Sequence, residues 1–392
     1  MTNYARLPVT FSHGKGALIW DSNGREYIDA LGGIAVCALG HAHPAVQDAI
    51  CDQAGKLLHT SNIYQIDVQS KLADKLCQLS KMQNAFFCNS GAEANEAAIK
   101  LARLYGRSKE IEKPDIIVME GSFHGRTLAT LTATGNRKIQ AGFEPLVKGF
   151  VRAPYDDIDA IRNIGKNNKN VVAVMVEPIT GEGGIRIPNS DYLKNLRAVC
   201  DEHGWLLILD EIQTGMGRTG EWFAYQHHAI QPDILTLAKA LGNGVPIGCC
   251  LASGTAAGLF KPGHHGSTFG GNLLACRAAL AVIESIEKDN LIKRATELGE
   301  YMLDGFNTAL KNVPQIKEIR GIGCMLAVEL AIPCGELVST CLEQGVLINV
   351  TASNVIRLLP PYVMTNKQAD KVIDIVSQAV IKFVSDSTLQ SA

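Results

Sequence analysis

No stretch of the 392-residue sequence is apolar for long enough to span a bilayer. The opening Met1-Thr2-Asn3-Tyr4-Ala5-Arg6 lacks the apolar core of a secretory leader, so a cytoplasmic location is expected. Basic blocks are missing too, and 37 Lys and Arg against 39 Asp and Glu leave a net charge of −2. That balance excludes nucleic acid and anionic membrane surfaces as expected partners. No Cys-x-x-Cys pair occurs, which removes support for a structural zinc site. The 11 cysteines are odd in number and have no repeated spacing. Cys37, Cys77, Cys88, Cys200, Cys249 and Cys250 lie among apolar neighbours and read as reduced, buried thiols rather than a disulfide framework. His227-His228, His264-His265, His41 and His43 read as loop and turn residues, and no metal is expected.

What is present is a long, moderately apolar chain, 46% hydrophobic with 37 glycines, more than one core usually supports. Two β-like runs, 17–20 and 26–29, flank Asp21-Ser22-Asn23-Gly24, a hairpin signal. Pro44 suits the first position of a helix reaching about residue 58, and another helix is expected over 68–79. From residue 85 short apolar strands (85–88, 115–120, 171–177, 205–210) alternate with helices (92–105, 158–164, 190–203). Strands apolar on both faces alternating with helices predict an α/β fold with a mostly parallel central sheet. Ligands in such sheets bind at the carboxyl ends of strands. After about residue 272 long helices (273–288, 292–311) lead into strands and a last amphipathic helix, a smaller α+β domain.

Several residues in this frame can carry chemistry. Lys239 is a single cation in an apolar run before Gly242-Asn243-Gly244. A desolvated amine is a nucleophile that forms a Schiff base with a carbonyl. In isolation a lysine laid along the surface at a helix start is the commoner explanation. Asp210 and Glu211 end an apolar strand, where an unpaired carboxylate is costly and a protonated ring nitrogen is a useful partner. A solvated acid just past the strand is the plainer alternative.

Ser90 precedes a helix whose Glu93 can close a capping box, and the same helix start, with Gly91, can hold a phosphate. Phe123 can stack on a flat ring and Arg126 can fork onto a carboxylate, or both are ordinary loop residues. Ser267 and Thr268 offer hydroxyls among glycines, otherwise a turn. Glu182 and Arg357 are charges in glycine-rich and apolar settings that read most simply as solvated. Gly215-Met216-Gly217-Arg218-Thr219-Gly220 formally matches a dinucleotide fingerprint, but no strong helix follows it and acids precede it.

Taken in order, these stretches resemble the class III aminotransferases, pyridoxal-phosphate enzymes of fold type I. The resemblance rests on Asp210-Glu211-Ile212-Gln213-Thr214-Gly215, Lys239 within Leu237-Ala238-Lys239-Ala240-Leu241-Gly242-Asn243-Gly244, Asn89-Ser90-Gly91-Ala92-Glu93-Ala94, Phe123-His124-Gly125-Arg126-Thr127 and Ser267-Thr268-Phe269-Gly270-Gly271-Asn272. It runs from about Gly14 to the last helix. Tyr27-Ile28-Asp29, Gly33-Ile34-Ala35-Val36 and Leu39-Gly40-His41-Ala42-His43-Pro44 look most like members acting on acetylornithine.

The resemblance implies a homodimer with active sites at the subunit interface and pyridoxal 5′-phosphate as cofactor. It implies an N-terminal segment (1–45) packing with a small C-terminal domain (273–392), around a large cofactor domain (46–272). Lys239 would hold the cofactor covalently and shuttle the proton, and Asp210 would keep the ring nitrogen protonated. Phe123 would stack on the ring, with Gln213 near its oxygen. Gly91 and Ala92 would give amides to the phosphate beside Ser90, and Thr268 would reach the phosphate of the neighbouring subunit. Arg126 and Ser267 would grip the acetylornithine carboxylate. Arg357 would take the α-carboxylate of glutamate, masked by Glu182 while the longer diamine is bound. Succinylornithine, succinyldiaminopimelate, ornithine and 4-aminobutyrate are the rival donors on the same scaffold.

Overall fold

The computed structural model describes residues 1–390. They divide into two compact units, 45–284 and a second made of 1–44 with 285–392, and the helix Leu273–Lys288 spans the division.

In the larger unit, a seven-stranded sheet runs in the spatial order Asn84–Cys88, Gly248–Ala252, Ile234–Leu237, Leu206–Asp210, Val171–Val176, Asp115–Met119, Phe150–Ala153. Only Gly248–Ala252 is antiparallel to its neighbours. Val171–Val176 and Leu206–Asp210 are buried at every position, as strands covered on both faces must be. The helix Gly91–Ser108 covers one face through Leu101 and through Ala94, Ala97, Ala98 and Ala102, whose small side chains let helix and sheet approach closely. The helix Tyr192–His203 ends on Gly204 in the left-handed conformation (φ 64°), which releases the chain directly into the next strand.

The sheet is therefore the expected mostly parallel α/β sheet, with three strands that the sequence pattern did not reveal; Ile234–Leu237 was read only as the apolar run before Lys239. Phe150–Ala153 follows an irregular segment, and Gly248–Ala252 reads as the tail of the glycine turn. The consequence is that chain segments leaving Cys88, Met119, Val176, Asp210 and Leu237 all emerge at one end of the sheet.

The smaller unit holds two four-stranded sheets. In one, Phe11–Lys15, Leu18–Asp21 and Glu26–Asp29 form an antiparallel set that Val346–Leu347 joins in parallel, Val346 opposite Ile28. The expected hairpin is present, and Asp21 Oδ1 accepts the N–H groups of Asn23 and Arg25 at 2.9 Å to close its turn. The other sheet runs Ile316–Ile322, Met325–Leu330, Val355–Leu358, Asn349–Thr351. Helices Leu291–Leu310 and Asn366–Gln390 bury apolar stripes on this unit. Cys88, Cys200, Cys249 and Cys250 are buried as expected, whereas Cys77, on the helix Asp67–Ser80, and Cys37, just after the turn Gly32–Ala35, are half-exposed.

Candidate active site

The chain end of each parallel strand places one functional group. Asp210, 4% exposed, closes the strand Leu206–Asp210. Its Oδ2 accepts the Nδ2–H of Asn95 at 2.8 Å and lies 2.8 Å from His124 Nδ1, while Oδ1 accepts the Ile212 N–H at 3.1 Å. Three donors offset the desolvation that an unpaired carboxylate would suffer there. The solvated-acid alternative is thereby excluded. Asn95 is itself fixed, since its Nδ2 also reaches the His124 carbonyl at 2.8 Å and its Oδ1 accepts the Thr236 hydroxyl at 2.8 Å.

Thr236 is paired across the sheet with Asp210, and three residues beyond it stands Lys239. Lys239 is half-buried and has a φ of +47°, at the start of a short 3-10 turn to Leu241. A left-handed backbone costs a non-glycine residue about 1–3 kcal/mol and concentrates at functional sites. No long helix begins here, so the lysine is not a helix-start residue laid over the core.

Ser90 caps the 18-residue helix Gly91–Ser108, its Oγ accepting the Glu93 N–H at 3.2 Å. The capping box is displaced by one residue. Glu93 Oε2 accepts from the backbone and side-chain N–H groups of Asn89, at 2.6 and 2.8 Å, because the extended Ser90 turns its own amide away. The first-turn amides of Gly91 and Ala92 remain as donors at a helix N-terminus, a ready anion cradle. Gly91 is required there, since a Cβ would lie 2.7 Å from Ile212 Cδ1. Gly125, just after Phe123-His124, passes so close to Ala92 that its own Cβ would lie 3.0 Å from Ala92 Cβ. The helix start, the Asp210 loop and the Phe123 loop thus pack as one body.

Phe123 is half-buried, and the exposed Arg126 guanidinium sits 5.7 Å above its ring. Gln213 is buried with its Oε1 lacking a partner. Ser267 Oγ accepts from Asn89 Nδ2 at 3.2 Å and from the Gly270 N–H at 2.9 Å, which fixes the turn that exposes Thr268 and Phe269. Glu182 is half-buried in this unit.

Arg357 belongs to the smaller unit, where it is wholly buried, correcting its reading as a solvated side chain. The reason is its strand, which lies between two others and is covered on both faces. Its Nε–H donates to Asn349 Oδ1 at 2.9 Å.

Two acids went unassigned in the sequence. Glu177 ends its strand as Asp210 does; Oε1 accepts the Phe123 N–H and Oε2 the Gly181 N–H, both at 2.9 Å. Glu211 accepts from Ala224 N–H, Tyr225 N–H and the Thr214 hydroxyl and so pins the loop after Asp210. Burial pushes both carboxyls up to about 7. The acid-after-apolar-strand signal that marked Asp210 was equally present at Glu177. His124 and Asn95 stood inside stretches already singled out. Residues 215–220 form successive turns closed by Gly217 N–H to the Trp222 carbonyl, and no helix starts there to receive a pyrophosphate.

The aminotransferase class-III family model matches residues 1–380. The chain belongs to the class-III aminotransferases. It is 56% identical over 384 residues to the acetylornithine aminotransferase of Nitrosomonas europaea, covering 98% of each chain. The ornithine aminotransferase structure from Toxoplasma gondii superposes with a TM-score of 0.95 at 37% identity, over 98% of this chain and 93% of that one. The acetylornithine aminotransferase of Elizabethkingia anophelis gives 0.87 at 34% identity, over 97% and 96%.

This class-III aminotransferase is a pyridoxal-phosphate-dependent enzyme of fold type I. Its residues fit that cofactor on their own terms. A helix N-terminus with two donor amides suits the phosphate, a buried and braced carboxylate suits a protonated ring nitrogen, and Gln213 Oε1 is a buried acceptor that a bound group would satisfy.

Proposed function

We propose that this enzyme transfers the terminal amine of N2-acetyl-L-ornithine to 2-oxoglutarate, giving N-acetyl-L-glutamate 5-semialdehyde and glutamate in arginine biosynthesis. The observation that carries the reading is the pairing of the strand ending in Asp210 with the strand leading to Lys239, beside the Ser90–Ala92 helix start. When bound, pyridoxal phosphate supplies a carbonyl for amines and a ring that withdraws electrons. The chain supplies the rest. Lys239 Nζ binds the cofactor and moves the proton at the amine-bearing carbon. Asp210, held in place by His124 and Asn95, would pair with the cofactor's ring nitrogen. Phe123 and Gln213 orient the ring, and Ser90, Gly91 and Ala92 hold the phosphate.

Arg126 is read as the receptor of the acetylornithine carboxylate with Ser267 beside it. Arg357 is read as the receptor of the glutamate α-carboxylate, with Glu182 offsetting that charge in the other half-reaction. A homodimer completes the proposal, Thr268 reaching the neighbouring copy's phosphate. Exposed Leu57, Leu58, Ile63, Tyr64 and Phe269 support it. Asn62 ties their segment to the Ser267 and Gly270 carbonyls at 2.9 and 3.0 Å, so apolar surface gathers around Thr268. Work in the cytoplasm accords with a substrate of central metabolism.

The test is the near-visible absorbance of the purified protein. A band that borohydride fixes on Lys239, and that acetylornithine bleaches faster than succinylornithine, ornithine or 4-aminobutyrate, supports the reading. Faster bleaching by one of the others reassigns the donor.

A further inference from the structure

Glu177 sits 6% exposed where the wholly buried strand Val171–Val176 ends. Its carboxylate joins two loops. Oε1 takes the N–H of Phe123, the residue whose ring walls the cofactor site, and Oε2 takes the N–H of Gly181, the residue before Glu182. The backbone of Glu177 is itself anchored, because the buried Tyr155 hydroxyl lies 3.3 Å from its carbonyl and 2.9 Å from that of Pro178.

The loop carrying Glu182 has little freedom to settle elsewhere. A Cβ on Gly181 would lie 2.7 Å from the Gln213 amide, and one on Gly183 would lie 2.5 Å from the Gly121 carbonyl oxygen. Thr180 closes the loop at its base, its N–H reaching the Arg186 carbonyl at 3.2 Å and its Oγ1 accepting the Arg186 N–H at 2.9 Å. One side chain therefore positions both the aromatic wall and Glu182, the proposed substrate switch.

We propose that Glu177 is a positioning residue that couples Phe123 to Glu182 and thereby sets the balance between the two half-reactions. The inference rests on the proposed role of Glu182. Its physical basis is that a carboxylate turns an acceptor oxygen toward each of two separate backbone amides, whereas the carboxamide of Gln has an acceptor oxygen on one side only. In Glu177→Gln the carboxamide nitrogen must face one of the two N–H donors, so one loop loses its anchor while volume is kept. In Glu177→Asp the reach falls by one methylene and again one loop is released.

Two measurements on the cofactor-loaded protein test this. Hydrogen exchange of peptides covering 121–125 and 180–186 is expected to rise in Glu177→Gln while peptides of the strand Leu206–Asp210 keep their protection. Unchanged exchange in both loops overturns the clamp, whatever the substrate proves to be.

Half-reaction kinetics, acetylornithine alone and glutamate alone, then test selectivity. The ratio of the two kcat/KM values is expected to shift by roughly tenfold in Glu177→Gln. Adding Glu182→Ala on top is expected to shift it little further, because both changes disable one device. Equal losses in both half-reactions, or additive effects in the double variant, overturn the coupling. If the parent protein ignores acetylornithine but loop exchange still responds to Glu177→Gln, the donor assignment fails and the clamp stands.

Discussion

His124 Nδ1 lies 2.8 Å from Asp210 Oδ2, and both side chains are buried. The carboxylate behind the proposed ring site is thus held by a neighbouring imidazole and by Asn95, which also grips the backbone of His124. Asp210→Asn keeps the shape and removes the charge. Its kcat is expected to fall by on the order of 10²–10³-fold with the cofactor still bound, a loss comparable to removing one preorganised electrostatic group. His124→Asn should cost roughly tenfold, since it leaves the charge and loosens its aim. Single-turnover decay of the absorbance band measures both.

Lys239 offers a sharper test. Lys239→Ala should abolish turnover and show no mass adduct after borohydride, while stability stays close to the parent or rises. Relief of a left-handed backbone is not at stake, because alanine inherits the same φ of +47°.

Gly91→Ala probes the phosphate cradle. The new Cβ would press on Ile212, with Cδ1, Cγ1 and Cγ2 all at 3.0 Å or less, so the helix start or the Asp210 loop must shift. Cofactor affinity is expected to weaken by about tenfold, some 1.4 kcal/mol. Equilibrium dialysis or fluorescence titration checks it, and an unchanged Kd contradicts the cradle.

The smaller unit carries its own pH dependence. The hydrogen bond to Asp29 raises the His41 imidazole from its ordinary 6.5 to about 10, with Cys37 adding to the effect. A raised folded-state pKa gives stability that is fully present below pH 6.5 and lost as pH climbs through 10. Asp29→Asn should flatten the fall of stability between pH 7 and 10 and make the protein less stable at pH 6.5. Denaturation midpoints across that range decide it.

Phe269 and Ile63 are 61% and 82% exposed beside the turn that presents Thr268. If the proposed homodimer forms through this face, replacing both with Glu should yield a monomer in sedimentation and reduce activity at least roughly tenfold, because an apolar interface does not tolerate unpaired charge. A double variant that remains dimeric and active places the interface elsewhere.

Most of the frame was legible in sequence because alternating apolar strands and amphipathic helices follow from periodicity alone. The strand ends at Cys88, Met119, Val176 and Asp210 fall within a residue or two of where the pattern put them. Phe150–Ala153 was hidden because a four-residue strand after an irregular segment carries too short a pattern. The glycine run 215–220 shows the opposite limit, since a matching string says nothing about whether a helix follows.

Residue types and spacing determined the chemistry on offer, namely the lysine at 239, acids at strand ends, a capped helix start and the aromatic at 123. Only the tertiary structure decided which groups meet. Asn95, His124 and Thr236 come together around Asp210 from three separate elements, and no local pattern encodes contacts such as that of Asn95 with Asp210, 115 positions apart. Burial did the rest: Arg357 looks like an ordinary surface charge until the sheet closes over it, and a charge removed from water must find partners.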